Sequence, residues 1–457
     1  MAVQRTVVLG VLILIGLTVD WAALPVPQDV PWPLELPFLL GLLLLVSHVT
    51  GNLAADFGLP RITGYIIAGL LIGPSGFELV TDADVASLTL IDQVAIALIA
   101  FSAGSEIKIR EVKEAGRAIA AILVSEMAMV FVAVAGLVLA LKPIFPLTAG
   151  QGWTEAIIIA AVFGSIAIAN SPSVAVAVIN DTRSRGPVSS TILGVTVLKD
   201  VAVIVLFAIM LSLARSVLEG GGEGLGLALA ERMWWEIGGS ILVGAIVGWL
   251  VSLYLDRWKA EPILFVLGVA VVVTIIADRL HLEILLTALT TGFFVENISE
   301  VKADRFVRAV EANALPFYAL FFSLAGASIH LDELRQVWAL VLLLVVVRAA
   351  AIWLGTRVGA QVGKAGPKVE RYAWTGFVSQ AGVTLGMVTI AAEAFPEWGA
   401  EMKTLFVAMV AIHELGGPVL LQKGLEGAGE AGARDRDPES TPAPGGAEAQ
   451  PAGGSAT

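Results

Sequence analysis

The chain is 457 residues long, 57% hydrophobic and only 15% charged, where a soluble domain carries about 25% charge. Buried surface grows too slowly with length for a core in water to absorb that much apolar sequence, so the composition excludes an ordinary soluble enzyme and a disordered chain and points to a polytopic membrane protein. The net charge of -12 argues against nucleic-acid binding through bulk positive charge, and the absence of cysteine removes disulfides, thiolate metal sites and a cysteine nucleophile.

A bilayer core takes about 20 apolar residues per helix. About 14 segments qualify: 5–24, 34–55, 60–74, 86–106, 115–141, 154–180, 187–215, 233–255, 260–279, 281–298, 308–328, 335–361, 371–395 and 401–422. Period-2 alternation is missing, so a β-barrel is not supported. Residues 1–33 hold an extra N-terminal helix or a signal peptide, since Arg5, an apolar stretch and the small Ala22 and Ala23 fit either. Residues 34–422 make the membrane domain. Residues 423–457, rich in Gly, Ala, Pro, Ser and Glu, read as a disordered cytoplasmic tail. The Gly-rich stretch from Glu219 to Gly226 follows no strand and reads as an outside linker, not a phosphate cradle.

The positive-inside rule tests this order of spans. With the N-terminus inside, the inner segments collect Arg5, Arg61, the run Lys108 to Arg117, Arg183, Arg185, Arg257, Lys259, Lys302, Arg305, Arg308, Arg357, Lys364, Lys368, Arg371, Lys423, Arg434 and Arg436. The outer loops collect only Lys142, Arg215, Arg232, Arg279, Arg335 and Lys403. A missed span would scramble this alternation. It places the C-terminus in the cytoplasm. Lys199 and Arg348 belong to neither set, because both fall within apolar segments.

A charge at mid-bilayer is costly and needs a reason. Glu126 lies midway along the fifth segment and Arg348 midway along the twelfth, so a buried Glu126–Arg348 pair holding two helices together is expected. In the sixth segment, Asn170-Ser171-Pro172-Ser173 interrupts an apolar run. Proline removes a backbone donor. The result is a simple kink, or a break lining a cavity whose carbonyls and side chains offer hard oxygen ligands to a cation. Lys199 and Asp200 sit near the centre of the seventh segment. Neighbours on a helix point about 100° apart, so each needs a partner on another helix, or a cation. The thirteenth segment contains WTGFVSQAGVTLGMV, with Gly376, Ser379, Gln380, Gly382 and Thr384. Small residues at such spacing serve close helix packing or a second discontinuous helix. His413 and Glu414 in the last segment read first as structural, with pH sensing by the histidine left open.

The two interrupted segments are sixth and thirteenth. That odd offset suggests an inverted repeat relating segments two to seven with nine to fourteen. It pairs the segment of Lys199 and Asp200 with that of His413 and Glu414, and the segment of Glu126 with that of Arg348.

With these residues in place, the chain resembles the monovalent cation:proton antiporters, in the Kef-type and sodium/proton-exchanger branch. Residues Gly64 to Gly76, GYIIAGLLIGPSG, resemble the family's early Gly-rich helix. Phe101 to Ile107, FSAGSEI, resembles its helix end. Asn170-Ser171-Pro172 stands at its polar-proline break, Lys199-Asp200 at its paired polar-acid position, and Arg348 at its later basic residue. The resemblance implies an all-α polytopic membrane protein of about 13 to 14 transmembrane helices, an inverted repeat with two unwound crossing helices of the NhaA/NapA-like kind. It implies a site of Asp200, Lys199, Asn170, Ser171, Ser173 and Gln380, with Asp200 binding the transported Na⁺ or K⁺, or a proton, but never both. Carboxylates removed from water hold protons more readily, which allows the two to compete. It also implies a homodimer in lipid, in the bacterial inner membrane, without cofactor or nucleic acid.

Two departures matter. Lys199 replaces the usual Asn, Asp or Gln, so it is expected to be a second protonatable carrier or an internal counter-ion. Val195 stands where many electroneutral relatives have Glu. No GxGxxG unit follows the last segment, so a nucleotide-binding regulatory domain is not expected in this polypeptide. The rivals to exchange are a gated K⁺ efflux pathway and a non-transporting pH-responsive membrane sensor. An enzyme is disfavoured, since neither HExxH nor GxSxG occurs.

Overall fold

A computed structural model describes residues 2–21, 35–106, 109–218, 225–257, 262–298, 315–329, 331–380 and 382–433, and every regular element among them is helical. In chain order these are α1 (Ala2–Trp21), α2 (Glu35–Asp56), α3 (Arg61–Ile72), α4 (Asp82–Ser87), α5 (Thr89–Glu106), α6 (Ile109–Ala140), α7 (Trp153–Ala167), α8 (Pro172–Asp181) and α9 (Pro187–Leu218). The second half holds α10 (Leu225–Arg257), α11 (Pro262–Leu280), α12 (Ile284–Ile298), α13 (Leu315–Ala327), α14 (Leu331–Gly363), α15 (Pro367–Tyr372), a 3₁₀ turn (Ala373–Phe377), α16 (Gly382–Ala394) and α17 (Pro396–Ala428). Among the described residues, 7 helical stretches are long and apolar enough to cross a membrane, one of them running through α7 and α8 together. The remaining spans are shorter apolar helices. The expected segments and the helices correspond closely, apart from the additional short α4 and α15. Most of the Glu219–Gly226 loop and the start of the 308–328 segment lie outside the described residues.

The packing repeats across the two halves. α5 lies along α12, and α3 lies along α13. The proposed repeat exchanges α5 with α13 and α12 with α3, so it converts one of these contacts into the other. Both use glycine for close approach. Gly104 faces the Leu289 carbonyl and Gly292 the Phe101 carbonyl, while Gly69 faces the Ser323 carbonyl and Gly326 the Ile66 carbonyl. Any side chain there would strike backbone, which is the small-residue rule of membrane helix packing.

The symmetry's self-paired contact is α6 against α14. A Cβ on Gly355 would fall 2.6 Å from the Cα of Glu126, one on Gly359 2.5 Å from that of Ile122, and one on Gly363 2.6 Å from that of Ala118. The falling numbers on α6 show that the two helices run antiparallel, in a register set by three glycines four residues apart.

The C-terminal boundary differs from expectation. α17 continues past 422 to Ala428 and is closed by Gly429 in the left-handed region, φ 74°. The buried Glu430 then accepts from the backbone N–H of Val188 and of Ser189, each at 2.8 Å, and from Ser189 Oγ at 2.7 Å. These are the orphan donors of the α9 N-terminus, so a carboxylate there is favoured by hydrogen bonding and by the helix dipole. Residues 423–433 are thus ordered by a capping role that composition could not reveal. Residues 434–457 lie outside the described residues. At the other end, Arg5 of α1 pairs with Asp56 of α2 at 2.7 Å.

Candidate ion-translocation site

Two helices break at the centre of the bundle. α7 stops at Ala167 and α8 restarts at Pro172, where the missing proline donor costs nothing because it is an orphan of the first turn. Ser171 is the N-cap, and its side chain accepts from the Val174 N–H at 3.3 Å. Its hydroxyl also lies 3.0 Å from that of Ser173. The second break separates the 3₁₀ turn ending at Phe377 from α16 beginning at Gly382. The breaks touch: the Ser171 N–H donates to the Ser379 carbonyl at 2.9 Å. Both interrupted segments are therefore discontinuous helices that cross, rather than a proline kink and a packing stripe.

Breaking helices frees carbonyls, and unsatisfied backbone in a membrane interior is costly. Arg348 of α14 meets that need. Its Nε donates to Ala167 O, one terminal nitrogen to Ala169 O and the other to Val378 O, each at 2.7 Å. One fully buried guanidinium thus clasps carbonyls of both broken segments. The same terminal nitrogen lies 3.5 Å from His413 Nε2. Arginine has only donors, so Nε2 is the acceptor. That leaves the Nδ1–H to donate to Gln380 Oε1 at 2.8 Å. His413 is held as a neutral link between clasp and break.

The expected Glu126–Arg348 pair gives way to another. Lys199 Nζ donates to Glu126 Oε1 at 2.8 Å, with both side chains 0% exposed. The physical reason lies in the α6–α14 register. Glu126 is level with Gly355, seven residues beyond Arg348, which is about 10 Å along a helix. α9 instead brings Lys199 to the height of Glu126. Lys199 also sits 5.5 Å from the centre of the Phe377 ring, on the second broken segment.

Asp200, the neighbour of Lys199, is partly buried and its Oδ1 is a buried atom with no hydrogen-bond partner. Both side-chain polar atoms of Asn170 are likewise buried without partner, as are Gln380 Nε2 and Thr384 Oγ1. Buried polar groups are ordinarily satisfied, so such a set calls for a hydrated or ion-binding role. A cavity of about 1070 Å³ reaches the first break. Asn170, Ser171 and Ser173 line it, with Ile204 one turn beyond Asp200 and Glu414 from α17. The cavity also touches Asp92 of α5, Glu283 before α12, and Arg215 and Lys403 near one end of the bundle. Asp92 and Glu283 are far apart in the sequence and come to share this wall because α5 and α12 pack together.

Crossed discontinuous helices with polar groups at mid-bundle, beside a deep cavity, define a secondary transporter of inverted-repeat architecture. Comparison with known proteins gives the family. The model for the sodium/hydrogen exchanger, transmembrane family matches residues 41–422. The Na(+)/H(+)-K(+) antiporter GerN of Bacillus cereus is 25% identical over 362 residues, covering 77% of this chain and 86% of that protein. The Na(+)/H(+) antiporter of Enterococcus hirae is 23% identical over 360 residues, covering 77% and 88%. The sodium proton antiporter MjNhaP1 of Methanocaldococcus jannaschii shares the fold, with a TM-score of 0.62 at 17% identity over 87% of this chain and 97% of that one. The chain belongs to the sodium/hydrogen exchanger family and is an integral membrane protein.

Proposed function

We propose that this protein exchanges a monovalent cation, Na⁺ or K⁺, for H⁺ by alternating access, with Asp200 as the shared carrier. The carrying observation is the unpartnered Asp200 Oδ1, with unpartnered Asn170, beside crossed broken helices in a member of this family. The relatives named as Na⁺/H⁺ and Na⁺/H⁺–K⁺ antiporters support the same reaction.

Each residue then has a role. Asp200 takes a cation with help from the oxygens of Asn170, Ser171, Ser173 and Gln380, or takes a proton and lets the cation go. Oxygen donors suit a hard, weakly polarising ion. Lys199 would repel that cation if its ammonium faced Asp200. Glu126 holds that charge on a neighbouring face of α9, about 100° round from Asp200, and pairs with it, so Lys199 acts as an internal counter-ion. Arg348 holds the two breaks together while His413 and Gln380 tie the clasp to the second one. α3, α5, α12 and α13 form a scaffold against which the broken helices, α9 and α17 shift.

The positive-inside count supports a cytoplasmic C-terminus. On it, the cavity end bearing Arg215 and Lys403 faces outward. Bacterial relatives support an inner-membrane location, and the family resemblance supports a homodimer. The test is flux in liposomes holding the purified protein. Addition of Na⁺ or K⁺ outside should dissipate an imposed pH gradient. Cation flux without proton movement would instead select a K⁺ efflux pathway.

A further inference from the structure

The cavity carries a pair of carboxylates that the Asp200 site does not use. Asp92 projects from the first turn of α5 and Glu414 from the middle of α17, and both line the cavity. Glu414 is only 4% exposed. Among the described residues neither carboxylate has a hydrogen bond or an ion pair. The two lie within electrostatic range of each other. Glu283 shares the wall but is engaged, accepting from the Leu286 N–H at the start of α12. Arg215 and Lys403 stand in the same cavity, yet no ion pair joins them to Asp92 or Glu414 among the described residues. A buried carboxylate without a donor is expensive unless a cation or proton accompanies it.

We propose that Asp92 and Glu414 form a second site for a monovalent cation, separate from Asp200. Two carboxylates, with the unpartnered Asn170 on the same wall, make a hard oxygen donor set. The placement gives the site a consequence. Asp92 belongs to the scaffold and Glu414 to the helices carrying the breaks. A cation between them ties the two layers across the seam that alternating access must open and close. The choice of a monovalent cation and the moving seam rest on the exchanger reading; the cavity and its two carboxylates do not.

The experiment is the thermal stability of purified, detergent-solubilised protein in choline chloride, NaCl or KCl at matched ionic strength. Wild type and Asp200→Asn should both gain stability in NaCl or KCl over choline. Asp200→Asn/Glu414→Gln and Asp200→Asn/Asp92→Asn should lose that gain, or need at least about tenfold more cation for it. Asp92 is less buried than Glu414, so its variant guards against a folding defect, and monodispersity in choline chloride qualifies every variant. Equilibrium binding of radioactive Na⁺ or K⁺ gives a second readout: two ions per wild-type chain, and one in Asp200→Asn or in Glu414→Gln. A single ion per wild-type chain, a flat response in Asp200→Asn, or an unchanged gain in both double variants would overturn the proposal. Absence of exchange in liposomes, with the Glu414-dependent gain intact, would instead sink the exchanger reading and leave the site standing.

Discussion

Lys199 of α9 donates to Glu126 of α6 across 2.8 Å, and neither side chain reaches solvent. The pair gives the Lys199 ammonium a partner other than the carboxylate next to it in the chain. Removing one partner strands a buried charge, which costs about 3–5 kcal/mol, whereas replacing both with apolar groups is often neutral. Glu126→Gln should therefore lower the melting temperature of the solubilised protein markedly. Glu126→Leu combined with Lys199→Met should recover most of that loss. A single variant as stable as wild type would show that the pair carries no such load.

Arg348 makes three bonds of 2.7 Å to carbonyls freed by two helix breaks. A lysine keeps the charge but is a compact point donor that cannot reproduce a planar fork. Arg348→Lys should lower stability by about 2–4 kcal/mol, since bonds to charged groups contribute about 1.5–3 each. Transport should fall with it, because the breaks lose their fixed spacing. Wild-type melting and flux in this variant would remove the clasp from the mechanism.

Glu430 fixes how much of the C-terminal region the fold needs. It closes the N-terminus of the helix bearing Lys199 and Asp200. Truncation after Ala433 should leave stability and flux unchanged. Truncation after Gln422 should destabilise, and Glu430→Ala alone should cost about 1–2 kcal/mol. Thermal denaturation of the three proteins distinguishes an ordered cap from a dispensable tail.

Much of this was legible in the sequence because a bilayer leaves few options. Span length located the helices, proline placement marked the sixth segment as either a kink or a break, and Lys199 and Arg348 stood out as the basic residues that no loop could claim. What escaped was partnership. Pairing Glu126 with Arg348 followed from segment order, but partners are set by axial register. The register of α6 on α14 is written in Gly355, Gly359 and Gly363, as a close approach to particular Cα atoms. The Arg348 partners are backbone carbonyls, which leave no residue signature. Glu430 escaped for another reason: one acidic residue in a Gly- and Ala-rich stretch looks like tail until the orphan N–H groups of α9 are placed above it. The interrupted thirteenth segment was ambiguous between packing and a break, and it took the Ser171–Ser379 bond to separate them.

The central claim is that Asp200 is the group for which cation and proton compete. It is tested most directly by proton flux in liposomes, comparing wild type with Asp200→Asn at equal reconstituted amounts. Wild type should dissipate a pH gradient on addition of Na⁺ or K⁺, and Asp200→Asn should give no signal above protein-free liposomes. Cation-driven proton flux at the wild-type rate in Asp200→Asn would contradict the account.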